Sequence, residues 1–209
     1  MKKIIIEYFH DVLWAHCYTF SPRLRKLVEE FPQIEVINRA FALSRSYNHA
    51  ANVFGSQENV KKVILNHWRE ARRNDDDHRI NVELMEGRDF NYPYSIPGLL
   101  GCKAAEIQGG QKAHWNYFDL VQKAHLTEAR NIADEEVLYD VAAEAGLDRE
   151  KFIKDFNSEA VKKMVEEDIE LAKQYMVNSV PTIIVNYKEK ISGALKYDQL
   201  KELIIKNYM

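Results

Sequence analysis

The chain has 209 residues, 46% of them hydrophobic, enough for one sizeable core or two small ones, and its 29 basic and 32 acidic side chains leave a formal charge of -3. That balance gives no basic field for a phosphate backbone or an anionic surface, so neither nucleic acid nor a membrane is an expected partner. Two cysteines, Cys17 and Cys102, are too few for a structural disulfide framework and lack the spacing of a zinc site.

In chain order, the opening MKKIIIEYFHD holds too short an apolar run for a signal peptide or anchor, and no later window reaches the roughly 18 apolar residues of a spanning helix. The expected compartment is therefore the cytoplasm. Ile4, Ile5, Ile6, Tyr8 and Phe9, broken only by Glu7, predict a buried strand over 3–9 that stops at His10-Asp11. Phe20, Leu24, Leu27 and Val28 fall at helical spacing and predict a helix over 15–30, with Pro22 close enough to its start to be tolerated. IEVINRAFAL, 34–43, predicts a second strand after the Pro32 turn, completing a strand-helix-strand unit with parallel strands and a right-handed crossover.

From the capping residue Ser56, the apolar positions Val60, Val63, Ile64 and Trp68 predict a helix to about Arg73. Residues 74–98 read mostly as loop, with Asp75, Asp76 and Asp77 a solvated run and Phe90, Tyr92 and Tyr94 either lining a cleft or joining the core. Helical patterns follow at 98–109, 111–125, 134–145, 149–156 and 158–176, with Asp134 and Asp148 as N-caps and Gly109-Gly110 and Gly146 as stops. Strands return at Val180 to Asn186 and Lys190 to Gly193, and a helix closes the chain from Tyr197 to Tyr208. This order predicts an α/β chain: a thioredoxin fold with a large all-helical insertion between its βαβ and ββα halves. The thioredoxin-like domain would comprise 1–44 and 177–209, and the helical insertion domain 45–176.

Four stretches carry a family resemblance. WAHC at 14–17 follows the first strand where thioredoxin-like enzymes place C-x-x-C, VPT at 180–182 stands where they place a cis-proline, FAL at 41–43 closes the second strand, and ISGAL at 191–195 forms the last. With SIPGLLGCKAAEIQGG at 95–110 and NIADEEVL at 131–138, the chain resembles the DsbA family, in particular its cytoplasmic FrnE-like branch. The resemblance implies thiol-disulfide oxidoreductase or isomerase activity, with client protein or peptide thiols, or glutathione, as partners and no obligatory cofactor. The motif departs from the family's Cys-Pro-His-Cys, because Trp14 replaces the first cysteine, the family's nucleophile. Dithiol exchange through an internal motif disulfide is therefore expected to be altered or lost.

The candidate catalytic residues are Cys17 and His16, and the candidate substrate-binding residues are Trp14, Val180 and Pro181. Cys17 in the first helical turn beside His16 favours a thiolate, while burial beneath Trp14 would make it inert packing. His16 fits a base or charge partner, or a capping or solvated residue. Trp14 either blocks the groove or offers a flat surface to an apolar ligand. Pro181 fits a cis-proline beside an extended substrate, or a plain strand-entry residue. A Cys17–Cys102 disulfide would restore a redox pair, against buried helical packing of Cys102. The histidines have no zinc-type spacing, and no metal is expected. Two other functions remain open on this fold: a non-catalytic peptide-binding adaptor or chaperone, and a glutathione-dependent isomerase or transferase of the kappa-class type, whose members use a Ser at the position of Trp14.

Overall fold

The computed structural model describes residues 3–208. Its sheet has four strands in the order β2-β1-β3-β4, built from β1 (Ile4–His10), β2 (Ile34–Ala40), β3 (Thr182–Val185) and β4 (Glu189–Ser192). β1 runs parallel to β2 in the register Ile4↔Ile34 to His10↔Ala40, and β3 is antiparallel to both β1 and β4. Burial sets this arrangement, since Ile6, Tyr8, Phe9 and Val185 are all completely buried and the central strands can sit only between covered faces.

Helix α1 (Ala15–Glu30) joins the two parallel strands and packs against the C-terminal helix of the chain, Tyr197–Tyr208. Between β2 and β3 stand α2 (Tyr47–Phe54), α3 (Gln57–Asn74), α4 (Val82–Glu86), α5 (Ser95–Leu126), α6 (Glu135–Glu144), α7 (Arg149–Phe156) and α8 (Glu159–Gln174), and the C-terminal helix is α9. Polar N-caps mark most of these helices: Ser46, Ser56, Asn81, Asp134, Asp148 and Ser158 each accept a backbone N–H of the first turn. Helix α5 is the organiser of the helical region, touching α1, α6, α7, α8 and β2. Its two halves meet at Gly109 and Gly110, where φ of +64° at Gly110 turns the chain in a conformation glycine adopts without penalty.

Several elements differ from the pattern expected of the sequence. β2 ends at Ala40 rather than running to Leu43, because the Leu43 N–H turns to the Asp11 carboxylate (2.6 Å). α2 was not anticipated: it is short, with Ala50 its single buried residue among those described. The 74–98 loop contains the single-turn α4, and α5 begins at Ser95, three residues early. The Asp75–Asp77 run is not simply solvated. Asp75 is buried and holds the Arg79 side chain at 2.7 Å, while Asp76 accepts from the buried Arg23 at 2.7 Å. Arg23 also donates to the carbonyls of Ala194 and Leu195 (both 3.1 Å), so this acidic run ties α1, the end of α3 and the approach to α9 together. Among the described residues, no helix is long and apolar enough to cross a membrane.

Close packing within α5 depends on Gly101, where a Cβ would lie 2.6 Å from Tyr117 Cε1 and 2.8 Å from its Cζ. Tyr117 cannot give way, being fully buried with its hydroxyl donated to the Leu138 carbonyl at 3.1 Å. Gly101→Ala is expected to cost about 1–3 kcal/mol in urea denaturation through overpacking. Gly87→Ala, whose Cβ would find only ordinary contacts at 3.8 Å, should stay within about 0.5 kcal/mol of the parent.

Candidate functional site

β1 ends at His10, and Asp11 follows it in the turn that leads to α1. Asp11 is completely buried and its carboxylate gathers three donors: the N–H of Leu13 (2.7 Å) on Oδ1, and the N–H of Leu43 and the hydroxyl of Ser95 (each 2.6 Å) on Oδ2. The turn before Trp14, the segment after β2 and the start of α5 are thereby pinned to one side chain. Ser95 completes the knot, accepting the Ser44 N–H at 3.0 Å while its own N–H bonds the Ser44 carbonyl at 2.8 Å. From the other side, the buried Gln122 amide donates to the carbonyls of Asp11 and Trp14, both at 3.2 Å.

Trp14 is the N-cap residue of α1 and makes no side-chain cap; its carbonyl accepts the Cys17 N–H at 2.9 Å. Cys17 is thus the third residue of the helix, at 0% exposure. Burial pushes its thiol well above the ordinary range, and the nearby Asp11 charge adds to that, outweighing the hydrogen bond from the Asp11 backbone. Of the two readings the sequence left open for Cys17, its burial favours inert packing, because desolvation works against a thiolate more strongly than the helix start favours one. Cys17 and Cys102 are both free and both buried, so the pairing considered from the sequence is not formed.

His16 is half-buried and lies against the Trp14 indole, ring centroids 5.4 Å apart, with His67 of α3 at 5.3 Å. Burial lowers its pKa, as does the His67 charge, while Glu70 acts in the opposite sense. Its Nδ1 has no partner among the described residues. The Val180–Pro181 peptide bond is cis, and both residues are buried. The Phe9↔Thr182 pairing sets Pro181 across from His10, at the sheet end from which Trp14 departs. Gly193 bonds the Pro181 carbonyl at 2.8 Å, whereas the backbone N–H and C=O of Val180 have no partner among the described residues.

Beside Trp14 lies a cleft of about 240 Å³, walled by Leu13, Trp14 and Leu43 on one side and by Ala50, Val53, Phe54, Ile64 and His67 of α2 and α3 on the other. Tyr92 forms part of its lining with its hydroxyl turned away, bonded to Trp68 Nε1 (3.0 Å) and His125 Nε2 (2.9 Å). The 90–94 aromatics therefore serve both as core and as cleft, the two roles their sequence left open. A roomier groove of about 610 Å³ lies along β2, but its lining is mixed in polarity and includes none of the motif residues. Sequence reading missed α2 and with it half of the cleft; the Ser46 cap followed by Ala50, Val53 and Phe54 at helical spacing was the available signal.

Behind the motif runs a buried polar chain that sequence reading also missed. His10 Nε2 and His114 Nε2 are 2.9 Å apart, and His114 Nδ1 meets Glu106 Oε2 at 2.7 Å. Lys103 bridges Glu106 (2.9 Å) and Asp168 (2.7 Å), and Arg39 joins Asp168 (3.1 Å) to Glu7 (2.7 Å). Burial of Glu106 works against its charge, yet the His114 hydrogen bond and the Lys103 ammonium outweigh it and hold the carboxyl at about 2. Desolvation lowers both histidines, so a neutral His114 donates from Nδ1 to the carboxylate and accepts the Nε2–H of His10. Among the described residues there is no group of three or more metal-ligating side chains.

Burial raises the Asp11 carboxyl from 3.8 to about 6 against its three hydrogen bonds. A carboxyl that binds its proton more tightly folded than unfolded stabilises the folded state fully at low pH, and that contribution is lost as pH rises through about 6. Asp11 should therefore remove about 2 kcal/mol of stability between pH 4 and pH 6, out of about 3 kcal/mol over its whole titration. The measurement is denaturant unfolding across that window, where Asp11→Asn, although less stable, should show a flatter pH dependence than the parent.

The model for the DSBA-like thioredoxin domain matches residues 5–205 of the chain. Among curated proteins, the ClpXP adapter protein SpxH of Bacillus subtilis (strain 168) is 27% identical over 210 residues, covering 97% of this chain and 67% of that protein. The chain thus spans about two thirds of that relative's length. Among solved structures, a putative protein disulfide isomerase from Nitrosomonas europaea superposes with a TM-score of 0.80 over 100% of both chains at 16% identity. The cytosolic disulfide reductase DsbM from Pseudomonas aeruginosa with GSH gives 0.70 at 20% identity, covering 97% of this chain and 98% of that one. These two share its fold.

Proposed function

The chain belongs to the DSBA-like thioredoxin domain family, and from that premise we propose that it works as a non-catalytic polypeptide-binding adapter on an oxidoreductase scaffold. The observation that carries this reading is the exchange of roles at the motif: the thiol is sealed at 0% exposure, while the indole that replaces the first cysteine walls an open apolar cleft. Disulfide exchange needs a reachable thiolate, and the burial of Cys17 withholds one. Binding needs a desolvated apolar anchor site and backbone groups to pair with. Trp14 with the α2–α3 wall supplies the first, and the free Val180 N–H and C=O beside the cis bond supply the second.

The partner this arrangement fits is an extended segment of a client protein that pairs with Val180 and sets an apolar side chain against Trp14. Glutathione, a partner implied by the DsbA resemblance, could pair with the same backbone but would find no thiolate for exchange. The SpxH relative, a ClpXP adapter, gives the adapter reading a precedent within the family. The cytoplasm is the compartment in which we place it, in keeping with the cytosolic reductase that shares its fold.

A permanently unfolded, carboxymethylated polypeptide has no disulfide to exchange and isolates binding from redox chemistry. Trp14→Ala should weaken its binding by about tenfold or more, that is by at least about 1.4 kcal/mol, whereas Cys17→Ala should leave it within about twofold. In the same series, the parent protein should reduce insulin no faster than the buffer control. Insulin reduction that disappears in Cys17→Ala would reinstate the oxidoreductase reading.

A further inference from the structure

β2 is an outer strand of the sheet, and its register settles which of its backbone groups face outward. Gln33 accepts the Ile4 N–H and Phe41 donates to the His10 carbonyl, so the odd-numbered positions of this strand face β1. The even-numbered positions face away, and the side chains found there agree. The Asn38 N–H donates to Gln111 Oε1 (2.7 Å), the Asn38 carbonyl accepts from Lys103 (3.4 Å), and the Ala40 N–H donates to Asp168 (2.9 Å). Helices α5 and α8 thus satisfy the second half of the outer edge with side chains that do the work of a missing strand.

The first half has no such cover. The outward N–H and C=O of Val36 and the outward C=O of Ile34 have no hydrogen-bond partner among the described residues. They open onto the groove of about 610 Å³ whose far wall is formed by α1 and by the Lys112–Trp115 turn of α5. Unpaired strand edges are templates for another chain, and backbone polar groups at 6% residue exposure gain by acquiring partners.

We infer that this groove is a second docking surface, independent of the Trp14 cleft, which takes a short extended polypeptide segment as an added strand against Val36. One partner residue set antiparallel satisfies both groups of Val36 at once, and a neighbouring residue can donate to Ile34. Charge gives little selection: Lys3 pairs with Glu35 and Arg25 with Asp119 at 2.5 Å, leaving Lys112 and Glu29 to offset one another. Recognition is therefore by backbone and is tolerant of sequence. A second copy of this chain does not fit. Symmetric pairing about Val36 would set Ile34 of one copy opposite Asn38 of the other, where Gln111 and Lys103 already occupy the edge. The bound segment consequently ends, or turns away, opposite Asn38.

The test is amide hydrogen exchange at Val36, read by NMR, with and without a pool of random-sequence decapeptides. The pool should slow exchange at Val36 by about fivefold or more and leave Asn38, already bonded to Gln111, unchanged. Val36→Pro removes the outward donor without touching the pairing to β1, and Lys112→Trp fills the groove while leaving β2 intact. Lys112→Trp should abolish the peptide-induced protection of Val36, Val36→Pro should abolish the peptide-induced shift changes of the Lys112 amide across the groove, and Trp14→Ala should preserve both. Unchanged exchange at Val36 with the pool present would overturn the inference, whatever happens at the Trp14 cleft. Val36 protection that rises with protein concentration in the absence of peptide would overturn it in favour of self-association.

Discussion

A buried carboxylate holds the site together. Asp11 has no solvent to stabilise its charge, so the chain brings donors to it: Leu13 from the turn, Leu43 from the segment after β2 and Ser95 from the head of α5. Those three groups come from the three parts of the molecule that must meet for the cleft to exist. The arrangement is costly, since burial raises the Asp11 pKa despite three hydrogen bonds, and it is the kind of cost that sites bear for fixed geometry. Removing the carboxylate would leave buried N–H groups at Leu13 and Leu43 unpaired, and with them the positions of Trp14 and of the segment leading to α2.

The same turn explains why a thiol one helical turn away is silent. Helix starts favour anions by partial charges of modest effect, whereas complete desolvation of a thiolate costs considerably more. Cys17 has the first influence and suffers the second, and the nearby Asp11 charge pushes in the same direction as burial. Trp14 stands where solvent and a substrate disulfide would otherwise reach the motif, and its ring is held between His16 and His67. On the proposed reading, an indole in place of the first sulfur exchanges a site for electron transfer for a surface for contact. The buried chain from His10 through His114, Glu106, Lys103 and Asp168 to Arg39 and Glu7 fastens α5 and α8 to the sheet beneath it. Breaking any one of its ionic links would strand a charge, which makes the chain a strong constraint on how the helices sit.

Much of the fold was legible in the sequence because local signals and burial agreed. The apolar run at Ile4–Ile6, the helical spacing of Phe20, Leu24 and Leu27, and the Gly109-Gly110 break all correspond to observed features. What could not be read there depended on long-range partners. Asp75 and Asp76 look solvated until Arg79 and Arg23 are seen beside them, and His10 and His114, 104 positions apart, have no local sign of meeting. The candidate residues were legible as a set but not in their roles. Pattern placed Trp14, His16, Cys17, Val180 and Pro181 at one end of the sheet, while only the folded structure shows that Cys17 is sealed and that Trp14 lines a cleft.

The central claim is that the thiol of the motif is closed to chemistry while the surface above it is open to binding. The most direct measurement is the mass of the native protein after equilibration with oxidised glutathione at neutral pH, followed by peptide mapping. The account predicts unmodified protein with Cys17 and Cys102 both unreacted, and modification of both only after unfolding. A glutathione adduct at Cys17 in the native protein would contradict it.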